Sequence, residues 1–253
     1  MGMNVVVAAL TLAATVAAGA AAAEPQTQRF YGYAYDLASG KYLYTEVYRE
    51  QVDGDRWLGG DTRYYSPAGI ELGEKTYSFA ADPYIPVYRM SVPGATYSEG
   101  IDLVGADQVS LFKSWTAKGR QTAVVRRIPV MAADCGFHSF IVAHFPELQA
   151  GRVVKFRFVV AGQLASYGFR AMRIGVTRFE NRPAVQLKIE PDSLFRFVVT
   201  PLLLTYDPQS RRLLEYRGVS NLINPATGKA YNARIAYYSR PPDDAPKNLP
   251  PLE

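Results

Sequence analysis

The chain has 253 residues, a formal net charge of +5, 48% hydrophobic residues and a single cysteine. One cysteine excludes an intramolecular disulfide, so the fold is held by burial alone. The basic residues are spread along the chain without a cluster or a recognised module, which argues against a nucleic-acid partner and leaves solubility and mild attraction to anionic surfaces as the effect of the charge.

The first charged residue is Glu24. Before it run Val5-Val6-Val7, an Ala/Leu/Thr stretch and Ala21-Ala22-Ala23, the apolar core and A-x-A site of a cleavable secretory signal over residues 1–23. The rival reading is a retained anchor, since an apolar run of about 20 residues spans a bilayer. Ala and Gly dominate the second half, which favours cleavage, although a basic n-region is missing. The chain is therefore expected in the periplasm, with no transmembrane span after cleavage or else tethered by its N-terminus. Cys135 lies too far along the chain for a lipoprotein anchor.

Two-residue alternation recurs through most of the remainder and predicts strands. Phe30–Asp36 and Lys41–Arg49 form a hairpin around Leu37-Ala38-Ser39-Gly40. Pairing Asp36 with Lys41 sets Tyr35 against Tyr42 and Tyr33 against Tyr44, all four on one face. Arg56–Ser66 and Ile70–Ala80 extend the meander after a turn at Val52–Asp55. Residues 82–100 carry Pro83, Pro86 and Pro93 and read as a long ordered connection. Strands resume at Val109–Thr116 and Gln121–Val130.

One segment has helical spacing: Phe137, Phe140, Ile141, His144 and Leu148 make an apolar stripe. Asp134 is its expected N-cap and Gly151 its stop, with Pro146 kinking or restarting it near Phe145. Beyond it, Val154, Phe156, Phe158 and Val160 share a face, as do Met172, Ile174 and Val176. Val185–Glu190, Phe195–Val199, Pro201–Asp207, Leu213–Ser220 and Tyr231–Tyr238 complete the strands. The Pro-rich tail over 241–253 is expected to be disordered. About eleven strands joined by short turns rarely stay flat. The expectation is a mainly β protein, with residues 24–240 as a single domain: a curled antiparallel sheet or partly closed barrel with one amphipathic helix on a face or plugging an end. A two-sheet β-sandwich is the alternative.

Several stretches, Gly136–Phe140 through Glu147–Gly151, Val153–Phe158, Pro201–Asp207, Arg211–Tyr216 and Gly218–Leu222, resemble a family of uncharacterised exported proteins of proteobacteria. The resemblance implies a periplasmic β protein and carries over no catalytic residue. Many curling strands with one helix are also similar, at the level of fold alone, to periplasmic lipoprotein-carrier half-barrels of the LolA and LolB kind.

Asp134, Cys135, His138 and His144 invite a Cys/His dyad or a metal site. On an unbroken helix Cys135 and His138 share a face while His144 lies opposite, so structural packing is the better reading and no metal or cofactor is expected. Ser110-Leu111-Phe112-Lys113 matches S-x-x-K by chance, since the segment reads as a strand and its companion elements are missing. Asp53-Gly54-Asp55 is a turn rather than a calcium loop. Arg126-Arg127, Arg173 and the Lys155/Arg157 face read as solvated strand surface. No catalytic residue is assigned, and the enzyme reading is the least favoured. The 18 tyrosines present apolar rings with polar tips, suited to a ligand or a partner. The favoured function is a binding or carrier-like protein for a hydrophobic small molecule or lipid, lined by Phe156, Phe158, Met172 and Ile174, with Tyr33, Tyr35, Tyr42 and Tyr44 as further candidates. The alternative is a structural or interaction protein of the envelope whose tyrosine face meets another protein.

Overall fold

The computed structural model describes residues 25–54, 56–194 and 200–252. The signal segment over 1–23 and the strand read at Phe195–Val199 fall outside the described residues. The chain runs β1 (Gln26–Asp36), β2 (Tyr42–Asp53), β3 (Arg56–Tyr65), β4 (Glu71–Ser78), β5 (Val87–Val92), β6 (Tyr97–Val104), β7 (Gln108–Trp115), β8 (Gly119–Arg126) and β9 (Met131–Ala133). Two short helices come next, α1 (Gly136–Ala143) and α2 (Phe145–Gln149). The chain ends with β10 (Val154–Val160), β11 (Ala165–Phe179), β12 (Arg182–Pro191), β13 (Leu202–Tyr206), β14 (Leu213–Ile223) and β15 (Ala230–Ala236).

All fifteen strands belong to one sheet, in the order β8 to β1 followed by β15 to β9. Every neighbouring pair is antiparallel except β9 with β10. Two meanders are thus joined where β1 pairs with β15. The mainly β class and the curled sheet agree with the sequence pattern. The strand count is higher than the expected eleven, in part because residues 82–100, read as a connection, contain β5 and the start of β6, and because the three-residue β9 before the helices is too short to show a pattern. Pro86 and Pro93 lie just outside β5, where they cost no ladder bond.

The sheet curls on itself without closing a backbone ladder. At the seam, Lys113 on β7 donates from Nζ to the Gly162 carbonyl, 3.2 Å away, just beyond β10. The other edge, β9, is covered instead of left open: Ala133 N–H donates to the Tyr84 carbonyl at 2.9 Å. Covering an edge in this way removes a template for unwanted pairing.

The helices lie against the inner face of β10 to β13. Phe140, Ile141, Phe145 and Leu148 pack there with Phe156, Leu187, Ile189 and Leu204. The chain breaks between α1 and α2 at His144, and Pro146 sits in the first turn of α2, where its missing N–H goes unneeded. That break shifts the helical phase, so Phe145 is fully buried while the His144 side chain stays 28% exposed beside Glu147. Asp134 does not cap α1. Cys135 occupies that position, and the Asp134 carboxylate turns inward.

The first hairpin departs from the expected pairing in one consequential way. Tyr35 does oppose Tyr42, but a bulge at Leu43 sets Tyr44 against Ala34 and Thr45 against Tyr33. One extra residue flips every subsequent side chain to the other face. Tyr33, Tyr35 and Tyr42 therefore cluster on the outside, while Tyr44 joins the inner core beside Tyr64 and Tyr77. The tail over 241–252 is not a free end. It lies on that outer cluster, with the Tyr31 hydroxyl donating to the Pro250 carbonyl and the Tyr35 hydroxyl to Asp244.

A candidate ligand cavity with an acidic floor

The curl leaves a hollow of about 1980 Å³ among the described residues, lined by both meanders and by one side of α1. One wall is aromatic. Phe137 stacks on Phe156, with ring centroids 5.3 Å apart, and meets Phe158 edge-on at 5.4 Å. Phe169 continues the wall from β11, and Phe30 and Trp57 face the hollow from β1 and β3.

Of the residues expected to line a pocket, Phe156 and Phe158 do so. Met172 and Ile174 do not. Val154 pairs with Ala171 and Phe156 with Phe169, so odd-numbered positions in this part of β11 turn inward; Met172 turns outward opposite Lys188. Ile174 is the extra residue of a bulge and is 46% exposed. Tyr33, Tyr35 and Tyr42 lie on the opposite face of the sheet, and Tyr44 is buried beneath the hollow's lining, its hydroxyl 2.6 Å from Ser220 Oγ. The tail over 241–252 covers the outer tyrosines, which reduces their surface for a protein partner.

The deep end of the hollow is polar, and sequence reasoning missed it. Glu46 and Glu50 project inward from β2, Lys75 from β4, Glu99 from β6 and Asp134 from the turn before α1. Their signal was present in the alternation: Glu46 and Glu50 share the phase of Tyr44, Tyr48 and Val52, and Lys75 that of Tyr77. A charge in an inward phase is a departure from the two-residue pattern that needs a partner or a purpose.

Lys75 and Asp134 form an ion pair at 2.5 Å, with side chains only 5% and 6% exposed. Asp134 also accepts from Asn221 Nδ2 at 3.2 Å and from its neighbour's backbone N–H at 2.7 Å. Burial alone would raise the Asp134 carboxyl, but Lys75 and these donors hold it below the usual range. Burial would lower Lys75, yet the Asp134 carboxylate beside it keeps it well above its ordinary value. Both stay charged.

The three glutamates behave differently. Burial pushes Glu46 and Glu50 up to about 7, although tyrosine hydroxyls and Lys75 pull the other way. Glu99 is raised by the same cause. Tyrosines supply their donors: Tyr48 to Glu46 at 2.6 Å, Tyr77 to Glu50 Oε1 at 3.0 Å, and Tyr88 and Tyr97 to Glu99. Glu50 Oε2 is buried and has no hydrogen-bond partner among the described residues.

Cys135 and His138 both face the hollow, as their shared helix face implies. Burial pushes the thiol well up, so it is not a ready nucleophile. His138 is stacked on Trp57 at 4.9 Å, its Nδ1 lies 3.2 Å from the Tyr206 hydroxyl, and burial lowers it to about 4. His138 is thus a neutral part of the aromatic wall. Among the described residues no three His, Cys, Asp or Glu side chains are placed so that they could hold one metal ion.

No family model and no curated protein matches this sequence. Among solved structures the chain is similar to a β-barrel-like protein of the domain of unknown function DUF1849 from Brucella abortus. The TM-score is 0.41 and the identity 5%, over 86% of this chain and 100% of that one. The likeness is one of β-barrel-like shape and does not extend to the exported proteobacterial family or the lipoprotein carriers.

Proposed function

We propose that the chain is an exported binding or carrier-like protein that holds a hydrophobic or lipid-like ligand in the hollow of its curled sheet. The observation that carries this reading is the cavity of about 1980 Å³, walled by Phe137, Phe156, Phe158 and Phe169. A curled sheet of fifteen strands is too wide for its own side chains to fill, and here the helices fill only one side of the concavity. Ligand pockets are concave, mostly apolar and furnished with a few polar groups, and this hollow has that composition. No helix among the described residues is long and apolar enough to cross a membrane.

Titration with N-phenyl-1-naphthylamine, a lipid-mimicking fluorophore, tests the reading. Wild-type protein should take up the probe, and Phe158→Asp should weaken uptake at least about tenfold, because a charge would be buried against the wall. A wild-type protein that binds neither the probe nor any lipid carried through purification ends the proposal. Export is a separate part of it. N-terminal sequencing of the chain from a periplasmic fraction should begin at Glu24, and intact chain confined to the cytoplasm would remove that part.

A further inference from the structure

This inference rests on the hollow being a binding site and names what its deep end takes. We propose that the acidic floor anchors a protonated amine, so that the ligand is an ammonium-bearing amphiphile with its nitrogen beside Glu50 and its apolar body on the phenylalanine wall.

Charge and hydrogen-bond accounting support the proposal. Four carboxyl groups, Glu46, Glu50, Glu99 and Asp134, face the floor. Lys75 is committed to Asp134 at 2.5 Å, and Lys113, opposite Glu99 in the register of β6 and β7, donates to the Gly162 carbonyl. This further cation of the floor therefore stands on the side of Glu99 and away from β2, which carries Glu46 and Glu50. Three glutamates are left with tyrosine hydroxyls as their hydrogen-bond donors. Independently of that count, Glu50 is 1% exposed, lines the hollow, and its Oε2 has no partner among the described residues. A buried carboxylate oxygen without a donor is costly to leave so. An ammonium group carries three donors and the missing charge. A carboxylate or phosphate head would meet like charge there.

Arg29, Arg56, Arg211 and Arg212 also border the hollow, but all four are exposed, and Arg56 is already paired with Asp53. Solvent and salt screen them over about 10 Å. They belong to the mouth, not the floor.

The other groups facing the floor do not titrate near neutrality. Burial pushes Tyr216 and Tyr237, Tyr44 and Tyr64 behind the lining, the four donor tyrosines and Cys135 up, so they stay neutral. His138 is also neutral there, at about 4. The charge of the floor is therefore set by its glutamates, and amine binding should strengthen as pH rises through about 7.

Calorimetric titration of the full chain with decylamine, decanol and decanoate, below their micelle concentrations, tests this. At about pH 8.5 decylamine should bind at least about tenfold tighter than either chain-matched probe, the size expected of one charge-assisted contact. At about pH 5.5, below the raised values of Glu46 and Glu50, most of that advantage should vanish. Glu50→Gln should abolish the preference, so that decylamine binds the variant no more tightly than decanol does. Glu46→Gln serves as the second variant should Glu50→Gln fold poorly. Equal binding of all three probes, a preference for decanoate, or an amine preference indifferent to both pH and Glu50→Gln would overturn the amine subsite and leave the apolar hollow standing. Failure of every probe to bind would overturn both readings together.

Discussion

Glu50 is one residue at which folding and binding pull in opposite directions. Its carboxyl is held at about 7 in the folded chain against an ordinary 4.5. A raised carboxyl favours the protonated form in the folded state. The associated stability is fully present below about 4.5 and is lost as pH rises through about 7. For one such glutamate the loss is about 3 kcal/mol. Glu50→Gln keeps the shape and the Tyr77 contact and removes the charge. Urea unfolding at about pH 8 should show the variant about 2–3 kcal/mol more stable than wild type, with little difference at about pH 4.5. Equal gains at both values would mean that packing, and not ionisation, governs the position. Asp134 has the opposite sign: held below its ordinary value by Lys75, it supports the fold at neutral pH and loses that effect as pH falls. A protein retaining a destabilising carboxylate in the wall of a cavity fits the common pattern in which functional sites depart from optimal stability.

At the scale of elements, the helical unit is positioned by a close backbone approach. A Cβ on Gly136 would lie 2.3 Å from the Tyr84 carbonyl oxygen and 2.6 Å from its carbon, both backbone atoms. Gly136→Ala must therefore push α1 off the connection between β4 and β5. The expected result is a loss of about 2 kcal/mol or more, together with weaker probe uptake, because Phe137 and His138 move with the helix. Thermal melts and the fluorophore titration read both effects, and a variant as stable as wild type would show the contact to be slack. Much at this scale was legible in the sequence. Period-two patterning identified most of the described strands, and the spacing of Phe137, Phe140 and Leu148 identified the helix, with Pro146 marking its restart. What patterning could not reveal was parity across bulges. The extra residue Leu43 reverses the facing of the strand residues beyond it, which moved Tyr44 inward, while the pairing of Phe156 with Phe169 turns the odd positions of β11 inward and leaves Met172 facing out ahead of the bulge at Ile174. Similarly, the inward phase of Glu46 and Glu50 was visible, but nothing local showed that Lys75 and Asp134, 59 positions apart, would meet beside them.

Considered as a whole molecule, the sheet separates two surfaces that the sequence alone could not tell apart. Its concave side carries the aromatic wall and the acidic floor; its convex side carries Tyr33, Tyr35 and Tyr42, covered by the tail. Ala245 packs on that cluster and Asp244 accepts from Tyr35, so the last residues act as an external strap over β1 and β2. Burial pushes Tyr42 up to about 12. Removing residues 241–253 should expose the three rings and two hydroxyl contacts without touching the hollow. The truncated chain should lose about 1–2 kcal/mol, a shift of a few degrees in melting temperature for a chain of this size. Spectrophotometric titration should also find about three more tyrosines ionising in the ordinary range near pH 10. Affinity for an apolar probe should stay unchanged. A truncation that instead abolished binding would show the strap to be coupled through β1 and β2 to Glu46 and Glu50, since those two strands are the structural route between the faces.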